Sequence, residues 1–252
     1  MPKQLIAGLV SLLLVVFLTA KDAAAEGRFA LVIGNSTYQN ASFLTNTKND
    51  ASDVAAALKR LGFEVTTAFD LNSQKMRRAL RDFGHSANGA SMAIVFYAGH
   101  GLEISKQNYL IPTDARLRTD LDVYYEAVPL DLVMAAVGSS RGLKLVLLDA
   151  CRNNPFARSF RSSGGGGLAP VQAPKGTFIA YATAPGQVAL DGENSENSPY
   201  TEALSRAISE PGLSLETVFK RTRSKVLEVT GEQQVPWETS SITGEFYFKP
   251  AN

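Results

Sequence analysis

MAIVFYAGHG, residues 92–101, is an apolar run that ends in a histidine between two glycines. A short run rich in branched and aromatic side chains reads as a strand buried on both faces. The same pattern returns at KLVLLDAC, residues 144–151, where the run leads straight into the only cysteine of the chain. Working outward, Phe29–Ile33, Phe63–Thr67 and Thr177–Ala182 are further short apolar runs, and Phe246–Phe248 reads as a last short strand. Between them lie stretches of helical period. One is capped by Asn49 or Asp50 and runs to Leu61, where Gly62 stops it. A second runs from Ser73 to Phe83 with Met76, Leu80 and Phe83 inward, and others cover Leu130–Val137, Pro199–Ile208 and Leu215–Val229. Tyr38–Lys48 reads as a polar loop and Leu102–Pro112 as a small hairpin. Strands alternating with helices imply an α/β fold, a mostly parallel sheet with helices on both faces.

The bulk numbers fit one domain. The chain has 252 residues, 45% hydrophobic and 19% charged, which is enough for a single core. A formal charge of +1, with no basic stripe, gives no sign of a nucleic-acid partner. Residues 1–25 read as a signal peptide: Lys3, an apolar run from Leu5 to Ala20, then Ala23-Ala24-Ala25 as the cleavage site. The alternative is an uncleaved anchor helix, although sixteen residues fall short of the ~20 that a spanning helix needs. The expectation is an exported protein, periplasmic or secreted, with residues 26–252 as its domain and no stable membrane insertion once the leader is removed. Of 25 basic and 24 acidic residues, cleavage removes Lys3, Lys21 and Asp22 and leaves 23 of each. A lone cysteine in an exported chain cannot close an intramolecular disulfide, so it is a packed hydrophobe, an intermolecular link or a reactive thiol.

His100 and Cys151 each follow an apolar strand directly. Ligands of open α/β sheets bind at the carboxyl ends of the strands, close to where strand order reverses. If the two strands are neighbours, their ends lie ~4.8 Å apart, which brings an imidazole beside a thiol. The imidazole can then take the thiol proton and leave a nucleophilic thiolate. Gly99 and Gly101 would let a substrate backbone come close. The amides of Gly101 and Cys151 are candidate oxyanion donors. Read singly, His100 is as well explained as a satisfied core histidine and Cys151 as a packed hydrophobe; it is their pairing on one edge that points to catalysis. No G-x-G-x-x-G follows the first strand, so a dinucleotide site is not indicated.

Spacing adds a family resemblance. His100 lies 51 residues before Cys151. The caspase pattern Gln-Ala-Cys-[Arg/Gln/Gly]-Gly has its histidine about 50 residues upstream. The segment here is Asp149-Ala150-Cys151-Arg152-Asn153, which departs from that pattern at its first and last positions. FALVIGNSTY (29–38), NDASDVAAAL (49–58), FYAGHG (96–101), YLIPTDA (109–115), LLDACRNNP (147–155) and YATAPGQVALDG (181–192) together resemble the caspase/metacaspase superfamily, especially its bacterial caspase-like members. The resemblance implies a caspase-like three-layer sandwich. It also implies a cysteine endopeptidase in which a Cys151–His100 dyad hydrolyses peptide bonds of a protein or peptide substrate through a thioester. His85 matches no family position and reads as a surface residue.

Asp149 stands where caspases carry the Gln that helps to hold a substrate Asp. Metacaspases resemble the chain here, and their second pocket acid falls in an Asn-Asp pair that matches Asn49-Asp50. With strand order 2-1-3-4, Asp50 and Asp149 would line a pocket for a substrate Arg or Lys. The plainer alternatives are a helix N-cap for Asp50 and a buried acid held by amides for Asp149. The loop Arg152–Lys175, with Gly164–Gly167 and the basic residues Arg158, Arg161 and Lys175, is either a self-cleavage segment or a surface loop. Many metacaspases use calcium, and Asp114, Asp120 and Asp122 lie in the corresponding stretch, but no ligand set emerges from them, so neither a metal site nor another cofactor is assigned. Ala184–Ser198, with Asp191, Glu193 and Glu196, is either a substrate loop or a polar connection. The competing functions are a non-catalytic binding or scaffold protein, an Asp-specific peptidase and a transpeptidase on the same dyad. The sequence leaves the oligomeric state open.

Overall fold

The computed structural model describes residues 27–150, 168–169, 171–192 and 195–251. The leader, Cys151, most of the loop 152–175 and Glu193 therefore lie outside the described residues.

A six-stranded sheet has the order β2-β1-β3-β7-β8-β9. Its strands are β1 (Arg28–Gly34), β2 (Glu64–Phe69), β3 (Met92–Ala98), β7 (Leu143–Asp149), β8 (Thr177–Tyr181) and β9 (Trp237–Ser240). All neighbours pair in parallel except β8 and β9, which are antiparallel. Every residue of β3 and β8 is buried, as expected of strands covered on both faces. Helices α1 (Thr47–Arg60), α5 (Pro199–Ala207) and α6 (Leu215–Thr230) pack together, and α2 (Ser73–Ser86) packs with α4 (Leu130–Gly138). These two groups form the outer layers of an α/β sandwich. Strand order 2-1-3-4 is observed, with β7 as the fourth strand of that reading.

A smaller sheet of order β4-β5-β6 stands beside the main one. Strands β4 (Gly101–Ile104) and β5 (Gln107–Leu110) form the expected hairpin, and β6 (Val128–Pro129) joins it. Its own core includes Leu102, Ile104, Tyr109 and Val123, the last from α3 (Asp120–Glu126). The sequence reading missed β6 and α3. Only Val123 is buried in α3, so no apolar stripe announces it, and its Thr119–Asp122 capping box is the signal that marks its start.

Two boundaries differ from expectation. Helix α1 begins at Thr47 with Asn46 as its N-cap, so Asp50 sits one turn inside and does not cap. Thr47 Oγ1 donates to the Asn35 carbonyl (2.9 Å) and pins this start to the end of β1. Phe246–Phe248 forms only an isolated bridge between Tyr247 and Ser214; the last strand is Trp237–Ser240. It is a polar edge strand, placed by the open edge of β8 and not by any apolar run of its own.

Candidate active site

β1, β3, β7 and β8 run in the same direction, so their carboxyl ends share one edge. Chain order reverses between β1 and β3, which puts the switch point there. Ala98 pairs with Asp149, and the Gly99 amide donates to the Asp149 carbonyl (3.3 Å). His100 and Ala150 thus follow the ends of adjacent strands at the same level. Ala150, the residue before Cys151, is fully buried.

His100 is 2% exposed. Its Nε2 lies 2.9 Å from the Ser42 carbonyl. A carbonyl only accepts, so Nε2 carries the proton and Nδ1 is the basic nitrogen of the neutral ring. The Ser42 hydroxyl stands 3.4 Å from the same Nε2. The backbone of His100 is held from both sides by tyrosines. Tyr38 Oη accepts its N–H (2.8 Å), and Tyr97 Oη donates to its carbonyl (2.9 Å). Burial, reinforced by the neighbouring Tyr38, pushes the Tyr97 phenol well above its ordinary value, so it stays a donor.

The flanking glycines have internal reasons. A Cβ on Gly99 would sit 2.5 Å from Tyr97 Oη and 2.7 Å from Tyr38 Oη. A Cβ on Gly101 would sit 2.6 Å from the Ala150 carbonyl oxygen. Close packing around the histidine thus requires both, whereas the sequence reading reserved that space for substrate. The Ile111 amide donates to the His100 carbonyl (3.0 Å), so Gly101–Leu110, one residue on, is the non-hydrogen-bonded pair and the Gly101 N–H points away from β5.

Asp50 and Asp149 are both fully buried, and one residue holds both. The Ser198 amide donates to Asp50 Oδ1 (2.9 Å), which also accepts from Asn197 Nδ2 (3.3 Å). The Ser198 hydroxyl donates to Asp149 Oδ2, which also accepts from Thr201 Oγ1 (2.9 Å). Ser198 caps α5 and Thr201 lies in its first turn. The sequence reading did not single out either residue. Ser198-Pro199 is an ordinary helix start, and a hydroxyl that caps gives no sign of a distant acid.

Beside His100 opens a cleft of about 600 Å³, lined among others by Ser42, Leu44, Ala189, Asp191 and Pro199. Its two walls are stitched together. Thr45 N–H donates to Asp191 Oδ2 (3.0 Å), and the Asn46 amide donates to the carbonyls of Asp191 and Gly192. Loop 184–198 is thus part of the site's wall, through Asp191. Glu196 lies on a separate groove with Asp53 and Glu202.

The remaining residues singled out in the sequence do not join the site. Asp114 accepts the Ser73 amide (2.9 Å) at the start of α2. Asp122 accepts the amides of Arg118 and Thr119 (both 2.8 Å), which draw its carboxyl below the ordinary value. Asp120 lies in the first turn of α3. Among the described residues, no three His, Cys, Asp or Glu side chains converge on a point fit for a metal ion. His85 is exposed on the last turn of α2.

Comparison with known proteins agrees with this architecture. The family described as Caspase domain, a peptidase family, matches residues 27–247. Human mucosa-associated lymphoid tissue lymphoma translocation protein 1 is 28% identical over 138 residues, 53% of this chain and 16% of that protein. The Mus musculus homolog is 28% identical over 132 residues, 51% of the chain and 15% of that protein. The chain thus matches only about a sixth of the length of these curated relatives. With the family matched across nearly all described residues, and with the strand order and the histidine-bearing edge in place, the chain belongs to the caspase-domain family of peptidases.

Proposed function

We propose that the protein is a cysteine endopeptidase that cleaves after Arg or Lys, with Cys151 as nucleophile and His100 as base. The observation that carries this reading is the 2.9 Å contact between His100 Nε2 and the Ser42 carbonyl. Nε2 is committed to the Ser42 carbonyl, and so Nδ1 is the nitrogen that takes a proton, at the edge where the strand β7 also ends. His100 Nδ1 accepts the thiol proton, and the thiolate adds to the scissile carbonyl. The amides of Gly101 and Cys151 hold the oxyanion; one such donor is worth ~3 kcal/mol of transition-state stabilisation. The tetrahedral species collapses to a thioester, and His100 passes its proton to the leaving amine. Water then hydrolyses the thioester, freeing the acid and restoring the thiol.

Asp50 and Asp149 support the preference for basic residues. Two carboxylates joined through Ser198 at this edge suit a guanidinium or ammonium and repel a substrate Asp. Self-cleavage follows at Arg158 or Arg161. Lys175 is the poorer target, since it lies in a tight turn, with Thr177 N–H on the Pro174 carbonyl (3.0 Å), and not in the extended form a peptidase cleft takes. The reading also places the enzyme outside the cytoplasm, with residues 1–25 as a removed leader; amino-terminal sequencing of the exported protein should then begin at Glu26.

The test is a digest of an unfolded protein, with the products sequenced. Cuts confined to the carboxyl side of Arg and Lys support the reading. Cuts after Asp would keep the dyad and overturn the pocket.

A further inference from the structure

Tyr38 lies in the loop between β1 and α1, four residues beyond Gly34. Its hydroxyl accepts the His100 N–H (2.8 Å) and stands 3.3 Å from Tyr97 Oη. Its ring packs against the imidazole, with centroids 4.5 Å apart and planes inclined by 55°. The same loop supplies the Ser42 carbonyl that accepts from Nε2. One short segment thus touches the histidine at its backbone, its ring face and its protonated nitrogen.

The segment is itself anchored at many points. The Gln39 amide donates to the Thr113 carbonyl (2.8 Å), and Asn40 Nδ2 donates to the carbonyl of Ala115 (3.1 Å). Ser36 Oγ donates to the Leu44 carbonyl (2.5 Å) and closes the loop on itself. Asp70 accepts the amides of Ser36 and Thr37 (both 2.9 Å). Tyr38 is therefore presented from a fixed frame, as a positioning group must be.

We infer that Tyr38 is a positioning residue for His100, its hydroxyl and ring together setting the imidazole in the orientation that aims Nδ1 at the nucleophile. This rests on reading His100 as the base of Cys151. Tyr38 touches neither substrate nor thiol in this account; it acts through the imidazole. Gly99 fits the same arrangement, because any side chain there would displace the two phenol oxygens.

Two features of the composition make the test clean. The chain holds one cysteine, so alkylation by iodoacetamide reads Cys151 alone. It holds two histidines, so imidazole NMR gives His100 with the exposed His85 as internal reference. Tyr38→Phe, which keeps the ring, would be compared with the unaltered chain and with His100→Ala. Tyr38→Phe is expected to fold, to move the His100 signals while leaving those of His85 in place, and to shift the pH profile of alkylation toward that of His100→Ala. With a peptide substrate, kcat should fall about tenfold, the size of one lost hydrogen bond, with KM within about twofold. Unchanged His100 signals and an unchanged alkylation profile in folded Tyr38→Phe would overturn the inference. If His100→Ala alkylates like the unaltered chain, it is the dyad reading that fails, and the His100 signals still decide whether Tyr38 holds the ring.

Discussion

Asp50 and Asp149, from a helix and a strand far apart in sequence, share Ser198 as donor: its amide serves the first and its hydroxyl the second. The start of α5 is thereby fixed against α1 and β7 at once. Removing either acid must disturb the other through this common residue.

Asp50→Asn keeps an oxygen for the Ser198 amide and removes the charge. It should leave stability within about 1 kcal/mol, yet lower kcat/KM for Arg peptides by about a hundredfold, the scale of a lost charge-assisted contact. Thermal melts and steady-state kinetics on the same preparation check this. A loss of activity that tracks a loss of stability would show that Asp50 only supports the fold.

Asp149→Ala leaves the hydroxyls of Ser198 and Thr201 without the acceptor they now share. Buried donors stripped of a partner cost about 1–3 kcal/mol each. Denaturant unfolding should register a loss of at least about 2 kcal/mol, whereas Asp149→Asn, which retains an acceptor oxygen, should lose less.

Gly99→Ala forces a methyl onto two phenol oxygens. Overpacking of this kind costs about 1–3 kcal/mol. Adding Tyr97→Phe removes the closer oxygen, so the double variant should be more stable than the two single losses predict. Strict additivity in a double-mutant cycle would contradict the clash.

Asp70 links acidity to the loop that carries Tyr38. Partial burial works against its ionisation, but Lys48 and the amides of Thr37 and Ser36 outweigh this and leave its carboxyl below the ordinary value. A lowered folded value means that the stabilisation is present above the unfolded value, near 4, and is lost as pH falls through the folded one. The site is partly exposed, so screening limits the effect to about 1 kcal/mol. Asp70→Asn should melt earlier than the unaltered chain at pH 7, and the gap should close as pH falls from the unfolded value through the lowered folded one. A gap independent of pH would contradict the assignment.

The sequence was most legible where one element explains itself. The runs at 29–33, 92–97 and 144–149 read as buried strands, and alternation with helices implies the layers, whereas the order 2-1-3-4 enters only as a condition. It was least legible where a residue takes its role from a distant partner. Tyr38 and Ser42 looked like ordinary loop residues until the fold brought them to His100. Ser198 ended a polar loop and Thr201 stood unremarked in the helix after it, until the fold brought both to Asp149. Neither Asn49 nor Asp50, the two candidate caps, is the N-cap: capping is a local pattern that points one turn too far along, and the Asp50 carboxylate answers an amide across the sheet edge. Trp237–Ser240 carries no apolar run beyond the exposed Trp237, since an edge strand is recruited by its neighbour's unpaired backbone.

The most direct test of the account compares residues 26–252 with their Cys151→Ala form on matched fluorogenic peptides ending in Arg, Lys or Asp. The account predicts release after Arg and Lys by the unaltered chain and none by the variant. Equal release by both forms, or no release at all from folded protein, would contradict the claim that Cys151 and His100 make this protein a peptidase.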